Sequence, residues 1–308
     1  MTRVPATRST ARSMAMERPD GGRMEDDMIV SGEALASLME RRRERWGQTR
    51  ATRVEDPDAA ARLVARLGVV TLFPASPEVP NVYHAFTGDP TSTVAAEWDS
   101  DAGRVYTWRW ELGRRDAAFY GVLVYGRPTL VSWALLPAVL RLRGDLRMPD
   151  ELYDLGVLSP EAYRVARALD EAGGPLSTSA LRAAAGFPSG KDQRSAYLKA
   201  IAELDARLML AKTFAQGDED MYHALVVLRH PEHATAAERM TREAALDAVL
   251  DVYLPSAVYA VPPVLARHLR LPEDELRAGL ERQVAAGRAR AVGLPGRKGT
   301  SYVWNEDR

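Results

Sequence analysis

The amino-acid sequence predicts a mainly α-helical protein with small β-hairpins, which places it in the α+β fold class. Two stretches of the 308 residues carry this prediction, at residues 159–228 and 241–304. In each stretch, three segments with helical spacing of apolar residues precede two short apolar runs joined by turn residues. Three helices followed by a hairpin are typical of a winged helix-turn-helix. We therefore expect tandem winged helix-turn-helix domains.

End signals define the helices of the first stretch. Ser159 and Pro160 are typical of a helix start, and Gly173 is typical of a helix end. Ser177 caps a second, short helix, and a third helix begins near Gly190 with an apolar stripe along one side. The opposite side of this third helix is polar and charged, so we expect it to be free for a partner.

The second stretch repeats the order of the first. Its helices are predicted over residues 241–254, from Pro262 to Leu271 and from Pro272 to Gly287. Its two strands are predicted over residues 288–294 and 300–304.

The region before these stretches is predicted to begin with helices over residues 33–46 and 58–67. A short β-like run, Val69–Phe73, follows the second helix, and residues 75–90 then read as a long loop of polar and aromatic residues. Long loops with such side chains often carry functional sites.

Residues 92–143 are the most aromatic part of the chain. Tyr106, Trp108 and Trp110 alternate, and on a strand this spacing would place the three rings on one face. Rings in a row can stack unpaired bases, but more often they supply core area, which is the interpretation we favour.

These patterns divide the chain into four predicted regions. The first is rich in Arg, Ser and Thr and shows no periodicity, so we expect disorder there. We interpret it as sequence upstream of the working start codon; a basic arm and a transit peptide are the alternatives. The four regions are a disordered tail (1–30), an N-terminal winged-helix-like domain with an aromatic-rich insertion (31–150), a central winged helix (155–232) and a C-terminal winged helix (238–308).

Composition excludes several classes of protein. The chain is 46% hydrophobic and 27% charged with a formal net charge of −1, so it can form sizeable cores and has no overall basic excess. It contains no cysteine, which removes disulfides and thiolate sites and fits a reducing compartment. No apolar run reaches the ~20 residues that a membrane span needs. We therefore expect a cytoplasmic protein without a membrane partner.

One pair of histidines, His230 and His233 with Glu232 between them, has the side chains of a metal site. The pair lies in a proline-containing connector and has no evident third ligand. We expect neither a metal nor another cofactor.

The two hairpin turns carry opposite charges. The first turn contains Asp218, Glu219 and Asp220, which phosphates repel. From Arg277 to Trp304 there are six basic residues and one acid, which predicts a phosphate-binding patch, although a solvated surface or a protein-binding module would look similar. The candidate DNA-binding residues are those of this patch and of the polar helix face in the first stretch: Lys191, Arg194, Ser195, Lys199, Arg277, Arg288, Arg290, Arg297 and Lys298.

Several short motifs resemble the AlkZ/YcaQ family of winged-helix DNA glycosylases, over about residues 33–304. They are Arg66-Leu67-Gly68-Val69-Val70, Tyr83-His84, Phe119-Tyr120 and Leu135-Leu136-Pro137. The resemblance implies three winged helices in a C-shaped, DNA-embracing body, and hydrolysis of the N-glycosidic bond of alkylated or crosslinked purines. In that family a Gln, an apolar residue and then Gln or Asp follow the Leu-Gly pair and supply the catalytic groups.

The positions of this chain that match the family motif are Thr71, Leu72 and Phe73. Phenylalanine can neither deprotonate water nor stabilise a cationic sugar, and a threonine alone is a weak substitute. The candidate catalytic residues are therefore Thr71 itself and two polar residues of the loop, Asn81 and His84.

Three functions follow as hypotheses. The favoured one is a monomeric protein that binds double-stranded DNA and lacks the usual base-excision activity of the family. The second is an active DNA glycosylase that uses displaced polar residues. The third is a transcription regulator, which usually needs a dimer element, and no coiled coil is evident in the sequence.

Overall fold

The computed structural model describes residues 29–217 and 219–306. Within these ranges the chain forms helices and small antiparallel sheets, so the predicted α+β class is confirmed. Most of the predicted tail lies outside the described residues, as does Asp218 in the turn of the hairpin predicted within residues 159–228.

One order of elements occurs three times: a helix, a short strand, two more helices and a hairpin. We name these copies the first, second and third module. The first module comprises α2 (Pro57–Leu67), β1 (Val69–Thr71), α3 (Val82–Thr87), α4 (Asp101–Arg114), β2 (Phe119–Val122) and β3 (Pro128–Val131). The second comprises α7 (Pro160–Ala172), β4 (Leu176–Ser177), α8 (Thr178–Ala184), α9 (Lys191–Ala206), β5 (Leu210–Phe214) and β6 (Met221–Leu225). The third comprises α12 (Arg242–Ala257), β7 (Tyr259–Ala260), α13 (Pro262–Leu269), α14 (Glu273–Ala285), β8 (Ala289–Gly293) and β9 (Thr300–Trp304).

The same local chemistry starts each module. An N-cap residue precedes the first helix of each module: Asp56 in the first, Ser159 in the second and Thr241 in the third. Each of these side chains accepts a hydrogen bond from the backbone N–H three residues later. In each module the short strand pairs with the second strand of the hairpin, as β1 with β3, β4 with β6 and β7 with β9. Helices with this strand pairing are the arrangement of a winged helix-turn-helix.

The first and second modules share one sheet. Tyr120 of β2 pairs with Lys212 of β5, which produces a six-stranded sheet in the order β1-β3-β2-β5-β6-β4. The third module has its own three-stranded sheet, β7-β9-β8.

The remaining helices connect the modules. They are α5 (Leu136–Arg143) and α6 (Pro149–Asp154) between the first two modules, α10 (Val226–Arg229) and α11 (Pro231–Arg239) between the last two, and α1 (Gly32–Arg45) at the start. Helix α12 packs against α5, and their buried leucines and valines form one continuous core. Helix α1 packs on the third module, where Leu38 contacts a cluster that includes Val258 and Val303.

Two parts of the first module differ from what the sequence patterns suggest. The alternating aromatic residues lie on helix α4 rather than on a strand, with Trp108 and Trp110 buried and Tyr106 half-buried. Ser100 caps this helix, because its hydroxyl accepts the Gly103 N–H, and the capped helix overrides the two-residue period. Residues 75–90, predicted as loop, contain helix α3.

Three further observations concern partners. Among the helices of the described residues, none is long and apolar enough to cross a membrane. The same residues contain no group of three side chains suited to hold a metal ion. The His230 and His233 rings lie 4.9 and 5.3 Å from the Trp133 ring, so both histidines pack against an aromatic side chain.

Candidate functional site

A cleft of about 510 Å³ lies where helix α1, residues 74–90 and the third module meet. Part of its wall is apolar or aromatic, with Trp46, Pro74, Tyr259 and Leu294. Its polar side chains come from the same three elements: Arg42, Arg43, Gln48, Ser76, Glu78, Asn81, His84 and Arg297. Clefts of this size and composition are typical of small-ligand sites.

A buried ion pair holds the three elements together. Arg42 Nη1 lies 2.8 Å from Glu78 Oε2, and both side chains are almost fully buried. Arg42 Nε also donates to the Ala257 carbonyl at 2.6 Å, and the guanidinium carbon lies 3.5 Å from the centre of the Tyr259 ring. A guanidinium with this many partners is held in one position, so it fixes the adjacent wall of the cleft.

Two of the predicted catalytic residues, Asn81 and His84, line the cleft and bind each other. Asn81 Oδ1 accepts the His84 backbone N–H at 2.8 Å and so caps helix α3. Asn81 Nδ2 lies 3.1 Å from His84 Nδ1, and His84 Nε2 lies 3.2 Å from the Ser92 carbonyl. An amide nitrogen only donates, so His84 Nδ1 accepts and Nε2 donates, which describes a neutral imidazole.

Electrostatics favour the same state of His84. Burial lowers its pKa, against smaller opposite effects of the Ser92 carbonyl and of Asp89. Because both ring nitrogens already have partners, His84 can act as a base only after one of these hydrogen bonds breaks.

The side chains at the positions that match the motif of the AlkZ/YcaQ family do not line the cleft. Thr71 is fully buried, and its hydroxyl donates to the Pro80 carbonyl at 3.3 Å. Leu72 is also fully buried, and the Phe73 ring lies 6.0 Å from the Tyr83 ring. None of Thr71, Leu72 and Phe73 lines the cleft. The structure therefore brings Asn81 and His84 to the cleft without Thr71.

Two polar groups of the cleft were missed by the sequence analysis. Gln48 is 6% exposed, and no side chain or backbone group among the described residues bonds to its amide. Glu78 is 1% exposed; Arg42 binds its Oε2, while its Oε1 has no hydrogen-bond partner within the same part of the chain. Both residues line the cleft, so a molecule bound there can contact them.

The sequence contains little signal for these two residues. Glu78 is the only acidic residue of the proline-rich segment Ser76-Pro77-Glu78-Val79-Pro80. A single acid in such a segment can indicate a buried polar residue. Gln48 follows a turn at Gly47, where φ is 73° and the chain folds back after α1. Its place in the cleft depends on that turn and on contacts with distant elements.

The second module presents a charged helix face to solvent. On this face, formed by α9, Lys191, Arg194 and Lys199 lie beyond ion-pair distance of any carboxylate in the described ranges. Glu203, near the other end of α9, accepts the Ser159 N–H at 2.9 Å and the Ser159 hydroxyl at 2.6 Å. The exposed candidate DNA-binding residues of α9 are Lys191, Arg194, Ser195 and Lys199.

The basic patch of the third module is partly neutralised within the protein. Three of its six cations form ion pairs: Arg277 with Glu273 (2.7 Å), Arg282 with Asp247 (2.8 Å) and Arg288 with Asp251 (3.4 Å). The other three are exposed and have no carboxylate partner among the residues that the structure describes: Arg290, Arg297 and Lys298.

The hairpin turn of the second module packs against the first module. Trp110 Nε1 donates to the Glu219 carbonyl at 2.9 Å, and Arg114 Nε donates to the Ala215 carbonyl at 3.0 Å. The side chains of Glu219 and Asp220 are exposed around this contact. A turn held in this way is a poor candidate for contact with phosphates.

Comparisons with known proteins identify relatives. A family model described as AlkZ related matches residues 54–250, which is more than half of the chain. Among solved structures, the DNA glycosylase AlkZ of Streptomyces sahachiroi is similar, with a TM-score of 0.54 and 17% identity over 91% of this chain and 71% of that chain. At this identity the likeness shows a shared fold. No curated protein sequence matches at a significant level.

Proposed function

The chain belongs to the AlkZ-related family, and we propose that it is a DNA-binding member that lacks the family's usual base-excision activity. It would bind double-stranded DNA as a monomer. One observation carries the proposal: Thr71 and Leu72 are fully buried and Phe73 packs against Tyr83, where relatives present polar catalytic groups. Without a group that activates water or stabilises a cationic sugar, base release loses its acid-base assistance.

The charged surfaces support the binding part of the proposal. Helix α9 is the third helix of its module, the position from which helix-turn-helix proteins contact DNA, and its Lys191, Arg194 and Lys199 are exposed and unpaired within the described part of the chain. The hairpin of the third module adds Arg290, Arg297 and Lys298. Such cations contact phosphates without reading bases, so we expect little sequence preference.

Binding and base release can be measured on the same duplexes. We expect fluorescence anisotropy to show binding that weakens steeply with salt, on duplexes with and without N7- or N3-alkylated purines. Chromatography of the products should show no base release at a rate comparable with a relative that has the glutamine motif, since the missing assistance corresponds to roughly 10²- to 10⁴-fold in rate. Salt-insensitive binding, or base release at the rate of that relative, would contradict the proposal.

A second candidate function is an active glycosylase with displaced polar groups. It is favoured by Glu78, Asn81 and His84, which line the cleft together, since Glu78 Oε1 has no hydrogen-bond partner among the described residues. If bases are released, Asn81→Ala and His84→Ala should each reduce the rate, and Glu78→Gln should abolish it. Unchanged rates in all three variants would exclude this cleft as the place of the chemistry.

A further inference from the structure

We propose that the cleft binds a single nucleotide, with Gln48 and Glu78 contacting the edge of the base and Arg297 meeting the phosphate. The nucleotide can be free in solution or an unpaired position of a DNA strand, because both present the same chemical groups. The second source rests on the proposed function, whereas the first does not.

The dimensions and the walls of the cleft suit a planar ring. Its volume of about 510 Å³ lies within the range of small-molecule sites, and aromatic and aliphatic side chains form part of its wall, among them Tyr259, Leu294 and Pro74. Apolar walls favour a flat heterocycle, since its two faces then lose contact with water at little cost in hydrogen bonds.

The open polar groups specify the edge of that ring. Gln48 offers one acceptor and two donors, and Glu78 Oε1 only accepts. Both residues are more than nine-tenths buried, and a polar group that loses water needs a replacement partner. A ligand with an amino group for Glu78, next to a ring nitrogen or oxygen for Gln48, supplies both. Adenine, cytosine and guanine carry such an amino group, and thymine does not.

The distribution of charge specifies where the phosphate lies. Arg42 neutralises Glu78 inside the cleft, and the hydrogen bonds of His84 describe a neutral ring. Arg43 is 3.4 Å from Glu40, so Arg297 is the exposed cation of the cleft without a carboxylate partner among the described residues. A site that is neutral inside and positive at Arg297 matches a neutral base joined to an anionic phosphate.

Mononucleotide binding tests the site directly. We would titrate the protein with deoxyadenosine monophosphate and with its analogue that carries unsubstituted purine, and record calorimetric isotherms. Removing the amino group leaves Glu78 Oε1 without a donor, so we expect the analogue to bind at least ~10-fold more weakly. Equal affinities of the two ligands would overturn the assignment of the base edge, and no binding of either, free or in DNA, would overturn the site.

Two variants avoid the structural role of the Arg42–Glu78 pair. Gln48→Leu and Arg297→Ala should each weaken binding of deoxyadenosine monophosphate by ~10-fold, while Arg115→Ala, which removes an exposed cation paired with Asp58 outside the cleft, should not. Unfolding temperatures that match the parent protein would show that the variants are folded. Parent-like affinity in both cleft variants would overturn the proposal.

A third experiment, with DNA as the ligand, distinguishes the two sources of the nucleotide. We would compare a fully paired duplex with the same duplex carrying one unpaired adenine. Tighter binding of the second duplex, lost in Gln48→Leu, would support a nucleotide supplied by DNA; equal binding of both, together with mononucleotide binding, would support a free nucleotide. The proposed function is tested separately by the fully paired duplex. It fails if that duplex does not bind, or if its binding does not depend on salt.

Discussion

The third helices of the second and third modules use their basic residues differently. On α9, Lys191, Arg194 and Lys199 point to solvent without an acidic partner among the described residues. On α14, Arg277 pairs with Glu273 of the same helix, and Arg282 pairs with Asp247 of α12. The two helices occupy equivalent positions in their modules, yet only α9 presents free cations to a polyanion.

A local excess of charge in a sequence can therefore exceed the charge that is available for binding. The cations of α14 help to hold α12 and α14 together, and exposed pairs of this kind contribute little to stability. The cations of α9 make no such contacts, so they stay hydrated until a partner binds. We therefore expect DNA affinity to depend on the cations of α9, and stability to depend most on the buried arginine of α1, Arg42.

The largest effect is expected where an arginine has only a structural role. Arg42→Ala removes the partner of a buried carboxylate at the border of the third module, and this class of change costs about 3–5 kcal/mol. Chemical denaturation should show a lower midpoint with an unchanged slope. The double variant Arg42→Met and Glu78→Leu is the control, because it removes both charges and should regain part of the loss. A midpoint equal to the parent's in Arg42→Ala would mean that the pair does not hold α1.

Loss of the free cations of α9 should give the next largest effect. Replacing Lys191, Arg194 and Lys199 together by alanine removes three phosphate contacts, which corresponds to roughly 10²- to 10³-fold in duplex affinity at 0.1 M salt and about three units of salt slope. Anisotropy titrations over a range of salt concentrations would measure both. If the slope is unchanged, the DNA surface lies elsewhere.

The second and third modules each contain a buried histidine, and we expect both histidines to lower the stability of the protein in acid. Burial, with Lys212 nearby, lowers the pKa of His223 to about 4, and burial with Arg267 lowers that of His268 to about 4. An unfolded histidine titrates near 6.5, so between pH 6.5 and 4 the unfolded chain binds more protons and stability falls as pH falls. For His223 this loss is about 3 kcal/mol.

The contribution of His223 can be isolated. We expect His223→Gln to lose less stability than the parent protein between pH 6.5 and 4, as thermal unfolding at a series of pH values would show. His268 is present in both proteins and cancels in the comparison. Identical pH profiles would mean that the pKa of His223 is not lowered in the folded protein.

The smallest effect is expected for the paired cations of α14. Arg282→Ala breaks its contact with Asp247, where both side chains are about one-third exposed, so we expect a loss of stability of about 1 kcal/mol or less. The salt slope of DNA binding should stay at the parent value. A slope that falls by one unit would instead place Arg282 at the DNA and remove the contrast between the two helices.

Much of the fold could be predicted because its signals are local. The N-caps at Ser159 and Ser177, the proline starts and the turn residues of the hairpins mark elements within a few residues. The structure has helices and strands at those places. The alternation of Tyr106, Trp108 and Trp110 also suits one face of a strand, but three residues are too short a pattern to outweigh a capped helix of 14 residues.

The site was harder to predict because its contacts are not local. Arg42 reaches Ala257, which is 215 positions away, and the cleft exists only through such contacts. The charge pairs of the third module were more accessible to sequence reasoning. Asp247 and Asp251 are four residues apart on a predicted helix, so they lie on one face and could have been expected to face the arginines of a neighbouring helix.

The long-range contacts of helix α1 also set an order of events on the ribosome. Arg42 needs the carbonyl of Ala257, and Arg41 pairs with Glu306, 265 positions later. At roughly 5–20 residues per second, translation leaves α1 without these partners for about 10–50 seconds after it emerges. During that interval the first two modules can fold on their shared sheet, while Arg42 stays in water. The cleft is thus a late product of synthesis, and a chain that stops before the third module never acquires it.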